Sequence, residues 1–535
     1  MSTTEKSNSI NLGTPEEEEH TIGITIAAFS VISVTIGAGM VSVPKAAFDS
    51  GIIWSLFYNV FNLAACVYSI HLFLRCAFVS GKFSMTEQGY ICFGRFSLYL
   101  INFLQIIAFV LTPVAYFIIF ANLLRSFFNE IKWVHDHSQN VIGSQWLSVL
   151  LLAVVLLPMI IKKKIEELKI AGVILFIGVS MFIVLLFLLK VIDGSELEHV
   201  DTSFDTLWLT TFDMHFVSSL STAFVAYGFQ SAFFPIFNSL KKDPRDSVMY
   251  MKGMKFTFFG MGFCFFIYTA VTFVSLYSFG NGIQGDVLGN VEGVRTWESY
   301  TLRAIFLVVL ATHTPFVLFI GKESVLAIVT LLFIRGKREE ELRKSIVIEN
   351  DPPRKSTTGL HETEKLLSDD VSMDKAGKSF HKDDEPEDPV DKAVMCGDAN
   401  KMSFSVKGIG ASGSRKSFVI KDHDLEKEVS CAADLLPNWL YYLITLLTYG
   451  AVVTAACTIK DVEIVIKFVG SLANAILNFT LPGLFYFIIM RKYKAGKAWW
   501  KLGFSLAIAI YGTAMGLFLT GVNIYTTIKP IDSDE

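Results

Sequence analysis

The chain has 535 residues, 52% of them hydrophobic and 18% charged, with a formal net charge of −4 and a mean hydropathy of +0.49. So few charges and several apolar runs of 20 or more residues exclude a soluble globular domain and point to a polytopic membrane protein. No nucleic-acid partner is expected.

The start of the chain is polar and ends in Glu16-Glu17-Glu18-Glu19, unlike a signal peptide with its basic start and short apolar core. Residues 1–21 are expected to be a disordered cytoplasmic tail. The first apolar run, about 22–48, is then retained as a helix. It carries Gly37-Ala38-Gly39 and, soon after, Pro44. Glycine tolerates unusual φ and proline removes a donor, so this helix is expected to break near mid-bilayer. Broken backbone at that depth must be covered by protein or face a polar cavity. A small-residue packing face is the other reading of the same stretch.

Further spans are expected at about 51–75, 96–124 (interrupted by Pro113), 145–161, 170–190, 214–239, 254–279, 300–334, 435–457, 463–490 and 498–526. Spans one to eight thus fill residues 22–334 and spans nine to eleven fill 435–526, before a short tail at 527–535. The eighth is too long for one straight crossing and is expected to tilt or project. The loops after spans two, four, six and ten are basic, as in Lys162-Lys163-Lys164 and Lys241-Lys242. The alternate loops are acidic or weakly charged. By the positive-inside rule the N-terminus is cytoplasmic. Residues 335–434 are dense in charge with Ser, Thr, Pro and Gly, and read as a disordered cytoplasmic loop. Glu362 before Leu366-Leu367 in that loop resembles the acidic dileucine sorting signal that clathrin adaptors read, so an adaptor is a candidate partner. None of the seven cysteines falls clearly in an outer loop, so no disulfide is expected, and no His/Cys spacing suggests a metal site.

Span six is interrupted like span one. Gly228 and Pro235 bracket Gln230-Ser231 near its middle. The two spans lie five apart and run in opposite directions, as an inverted repeat requires. Interrupted helices at corresponding positions of two halves are the sequence pointer to a transporter binding site.

Gly37-Ala38-Gly39-Met40-Val41-Ser42-Val43-Pro44 resembles the Gly-x-Gly…Pro signature in the first helix of the amino acid/auxin permease family. Within it, the likeness is to system A/N-type neutral amino acid transporters and their vacuolar relatives. Phe234-Pro235-Ile236-Phe237 resembles the family's Leu-Pro-Ile-Tyr, and Val469-Gly470-Ser471 with Leu481-Pro482-Gly483-Leu484-Phe485-Tyr486 resembles its tenth-span motif.

The resemblance implies an all-α fold of about eleven transmembrane helices of the LeuT type (APC superfamily), a 5+5 inverted repeat plus one helix. It also implies amino acid transport coupled to Na⁺ or H⁺, with no cofactor. At such a site the N–H groups around Gly37, Ala38, Gly39 and Met40 suit the substrate carboxylate. Free carbonyls near Thr35 and at Val225, Ala226 and Tyr227 suit the ammonium. Thr35, Tyr116, Tyr227 and Gln230 are candidates to shape the side-chain pocket, or to make ordinary interhelical hydrogen bonds. Sodium-coupled relatives use an Asn in span one and a Thr in span eight. Here Ser33 holds the first position and His313 falls at or beside the second. Ser33, Thr312 and Thr314 offer oxygens to Na⁺, whereas His313 offers a proton carrier or a plain interhelical bond. Lys45, Lys467 and Arg303 are charges near the expected outer ends.

An amino acid sensor signalling through residues 335–434 is the alternative to a transporter. No nucleophile–base pair or phosphate loop lies in the apolar spans, so an enzyme is not expected. The membrane is the plasma membrane or a vacuolar or lysosomal one.

Overall fold

The computed structural model describes residues 22–37, 39–130, 144–162, 168–192, 214–292, 294–350, 436–493 and 499–528. The sorting signal proposed at Glu362, Leu366 and Leu367 lies outside these residues, as do the N-terminal tail and most of the 335–434 segment. Contact density divides the chain into Met1–Leu331 with Cys431–Glu535, and Leu332–Ser430. Of the second unit only a helical stretch to Asn350 is described.

All eleven expected spans are helical. The first is α1 (Ile24–Thr35) and α2 (Gly39–Ser50), and the second is α3 (Ile52–Ser80). A short α4 (Met85–Phe93) precedes the third, α5 (Arg95–Glu130). The fourth is α6 (Gln145–Ile160) and the fifth α7 (Leu168–Ile192). The sixth is α8 (Met214–Ala226) and α9 (Gln230–Asn238), and the seventh is α10 (Asp246–Phe279). A short α11 (Val287–Val291) leads to the eighth, α12 (Trp297–Asn350), followed by the ninth, α13 (Asn438–Thr458). The tenth runs from α14 (Val462–Phe468) through π-helical turns Val469–Asn474 and Ile476–Thr480 into α15 (Leu481–Lys492). The eleventh is α16 (Trp499–Ile528). Among the described residues nine spans are long and apolar enough to cross a bilayer, the bent first pair makes a tenth, and α6 is apolar but shorter.

Helix α12 passes residue 334, where disorder was expected to begin. The sequence from Lys337 to Asn350 holds neither glycine nor proline, and helix formers dominate it.

Burial separates central from peripheral spans. In Val462–Lys492, 72% of the apolar window is buried, and in Met214–Asn238 67%, against 28% in Trp499–Ile528. Spans six and ten therefore form the middle, and span eleven turns most of its surface to lipid. Helix α2 packs on α8, α1 on α10, and the first π-helical turn touches α5, α8 and α16.

The departures from α-helix in span ten have local causes. A Cβ at Gly470 would overlap the Ser221 carbonyl, so glycine lets the two backbones meet. Pro482 has no N–H for the carbonyl of Asn478, and the Ser69 hydroxyl donates to that carbonyl instead. Around the first π turn, Asn523 of α16 joins three spans. Its Nδ2 lies 3.0 Å from Ser221 Oγ, 3.1 Å from the Lys467 carbonyl and 3.2 Å from Ser471 Oγ. Its Oδ1 accepts from Ser218 Oγ at 3.0 Å. Asn523→Leu keeps the volume and strands those partners. It should cost about 2 kcal/mol, read as a lower midpoint in a heat challenge of the detergent-solubilised protein.

Candidate functional site

Helix α1 ends at Thr35, and α1 and α2 meet at an angle of 62°. The reason for glycine at position 37 is visible in its surroundings. A Cβ there would overlap the Tyr116 hydroxyl and come 3.3 Å from His313 Nε2. Tyr116 and His313 stack at a tilt, with ring centroids 5.2 Å apart. Thus the break of span one is packed by side chains of spans three and eight. Ala38 lies outside the described residues. The Met40 N–H is already used, donating to the Gly37 carbonyl at 3.0 Å. Pro44 is inside α2 rather than at the break.

Span six unwinds over Tyr227–Phe229 but stays one 25-residue span. Pro235 falls within α9, so glycine rather than proline marks the break. The Gly228 N–H donates to Val225 O at 3.1 Å, and Phe229 N–H donates to Gln230 Oε1 at 3.0 Å. Gln230 Nε2 reaches Cys66 Sγ at 3.3 Å, and the Cys66 thiol donates to Tyr227 O at 3.7 Å. Gln230 therefore bonds both at the break of its own helix and across to span two. Gln230→Met keeps the shape and leaves the Phe229 N–H without its side-chain acceptor. We expect a loss of about 2 kcal/mol, checked by thermal stability alongside uptake. At Gly228 a Cβ would lie 2.8 Å from Asn474 Nδ2, so the first π turn of span ten presses an amide onto this break.

The two breaks touch. A Cβ at Gly39 would sit 3.3 Å from Ala226 Cα, at the end of α8. Tyr268 of α10 ties them: its hydroxyl lies 2.9 Å from the Thr35 carbonyl and 2.8 Å from the Ala226 carbonyl. The carbonyls expected to be free for an ammonium thus all have protein partners: Tyr268 on Thr35 and Ala226, Gly228 on Val225, Cys66 and Phe229 on Tyr227. The Thr35, Val225 and Ala226 carbonyls are each named with one donor here, whereas Tyr227 O accepts two. The Thr35 hydroxyl donates to Val31 O at 2.7 Å, within its own helix. Two polar atoms close to the breaks, Tyr227 Oη and His313 Nε2, are buried without a hydrogen-bond partner among the described residues.

The ion candidates divide. Ser33 is buried on α1. Thr314 is buried and bonds back to Leu310 O at 2.6 Å, while the half-buried Thr312 bonds back to Val308 O and Val309 O. Of the three candidates on span eight, His313 is the one beside Gly37 and Tyr116 at the break. Of the outlying charges, Lys45 pairs with Asp49 at 2.9 Å and Lys467 with Glu463 at 2.5 Å. Arg303 is an anchor: fully buried, it donates to Ser126 Oγ at 3.0 Å and to the Val294 carbonyl at 3.3 Å.

Residues 20–528 match the model of the family described as "Transmembrane amino acid transporter protein". The chain belongs to the transmembrane amino acid transporter family. The match covers every described span of this transporter. Curated proteins give no match to its sequence. Among solved structures it is similar to the crystal structure of MhsT in complex with L-phenylalanine, at 11% identity and a TM-score of 0.47. That likeness covers 94% of this transporter and 99% of MhsT, and the family assignment rests on the family model alone. An amino acid substrate and a membrane setting follow from the family.

Tyr268, Asn474 and Cys66 complete the site and belong to none of the motifs read from the sequence. Their one sequence signal is polarity or softness within an apolar run, which many other residues share.

Proposed function

We propose that this chain is a secondary active transporter of amino acids, driven by H⁺ or Na⁺ through alternating access, with its substrate at the breaks of spans one and six. The observation that carries this reading is the contact between those breaks, Gly39 against Ala226, in a member of an amino acid transporter family. Two helices that end side by side direct the negative ends of their dipoles to one point, which favours an ammonium there. The start of α2 at the same place favours a carboxylate. A zwitterion fits that pair of fields.

His313 favours H⁺ as the coupling ion. Histidine is the side chain type suited to carrying a proton, His313 is buried at the break, and its Nε2 has no partner among the described residues. Na⁺ would instead draw on Ser33 and the threonines that flank His313. The deciding experiment is uptake of mixed amino acids into proteoliposomes, with pH and Na⁺ gradients imposed separately. Accumulation under one gradient is the expected result. Binding without accumulation under either would favour the sensor reading, in which residues 335–434 carry the signal. A clathrin adaptor reading Glu362, Leu366 and Leu367, a cytoplasmic N-terminus, and residence in the plasma membrane or a vacuolar or lysosomal one are parts of this proposal.

A further inference from the structure

Two carbonyls at the ends of two helices share one donor. Thr35 is the last residue of α1 and Ala226 the last of α8. Both carbonyl oxygens lie within hydrogen-bond distance of the single Tyr268 hydroxyl, at 2.9 and 2.8 Å. A phenol has one proton, so it donates fully to one of them or partly to both. Tyr268 is fully buried. Its ring meets Tyr227 edge-on, with centroids 5.6 Å apart. Helix α10 also packs along α1, so the ring is held from both sides of the break.

Carbonyls at a helix end are the acceptors that have no partner within the helix. Left bare away from water, each costs free energy, and two negative dipole ends repel. Something positive must stand between them. When no cation is there, the hydroxyl proton is the positive charge available.

We propose that the Tyr268 hydroxyl is a built-in stand-in for the substrate's ammonium group. It holds the ends of α1 and α8 while the site is empty and yields at least one carbonyl when the ammonium arrives. This rests on the reading of the chain as an amino acid transporter. The consequence is a competition within the protein. Substrate affinity is set by the difference between an ammonium and a phenol on the same lone pairs. Tyr268 thereby weakens binding and speeds release, because the departing ammonium is replaced at once.

The test is Tyr268→Phe in the full-length protein, reconstituted and assayed with a radiolabelled mixture of the twenty L-amino acids. The variant keeps the ring and loses the competing proton. Half-saturation should fall about fivefold, and maximal flux should fall by a similar factor as release slows. A positioning role without competition would raise half-saturation or leave it alone, and either result overturns the proposal. Incorporating 3-fluorotyrosine at position 268 keeps the shape and strengthens the donor. It should raise half-saturation, and it decides the matter alone if the Phe variant does not fold. Unchanged or lowered half-saturation with fluorotyrosine overturns the proposal. If the wild-type protein neither binds nor accumulates any amino acid, the transporter reading falls and takes this one with it. Wild-type uptake with half-saturation unmoved in both variants sinks only the role of Tyr268.

Discussion

Gly39→Leu abolishes amino acid uptake, an expected loss of at least about 100-fold. The Cβ of any residue there would lie 3.3 Å from Ala226 Cα and 3.5 Å from Ala226 N. Those are backbone atoms, which cannot swing aside as a side-chain tip can. A leucine drives the end of α8 away from the start of α2 and separates the carbonyl pair from the donors opposite. Gly39→Ala needs a shift of only a few tenths of an ångström and should fall between. The measurement is initial uptake in proteoliposomes, with elution as a single sharp peak in detergent as the folding control. Leucine-variant uptake within about twofold of wild type would rule out a substrate site at the paired breaks.

His313→Gln should remove the response to an imposed pH gradient while exchange of internal for external amino acid continues. Glutamine fills a similar space and hydrogen-bonds, but it does not titrate. One pH unit is worth about 1.4 kcal/mol, so coupling of one proton per substrate gives roughly tenfold accumulation. That accumulation should vanish in the variant. Exchange tests the rest of the machinery, since it needs binding and alternating access but no net proton movement. If the wild-type flux is driven by Na⁺ and indifferent to pH, His313 is a packing residue beside Tyr116, and Ser33, Thr312 and Thr314 become the positions to vary.

The architecture was legible because the bilayer imposes it. About 20 apolar residues must follow one another to cross, so the spans announce themselves whatever their packing. The break at Gly37-Ala38-Gly39 was legible for a related reason: small residues amid an apolar run mark where backbone or side chains need room. Here Tyr116, His313 and the end of α8 fill the room. Gly228 follows the same logic with Asn474. Prolines were less faithful guides. Pro44 and Pro235 both lie inside helices, and the breaks fall at the glycines instead.

Roles of polar residues were much less legible. Gln230 reads equally as a pocket residue or a hydrogen-bonding one, and its side chain accepts from Phe229, one position away. Tyr268 reads as one more tyrosine in an aromatic helix, yet it reaches Thr35 across 233 residues and Ala226 across 42. Whether a polar side chain inside a membrane span meets substrate, ion or another helix depends on how that span is rotated. Hydrophobicity is nearly uniform around α10, so no apolar stripe fixes its rotation.

By itself, then, the sequence determined the spans, the two interruptions and the family, since each depends on residue type along a single helix. Only the tertiary structure decided that the interruptions touch at Gly39 and Ala226, that His313 rather than its threonine neighbours faces the break, and that Tyr268 holds both helix ends. Those are contacts between helices, and in a uniformly apolar chain they follow from packing and from the need to pair every buried polar group.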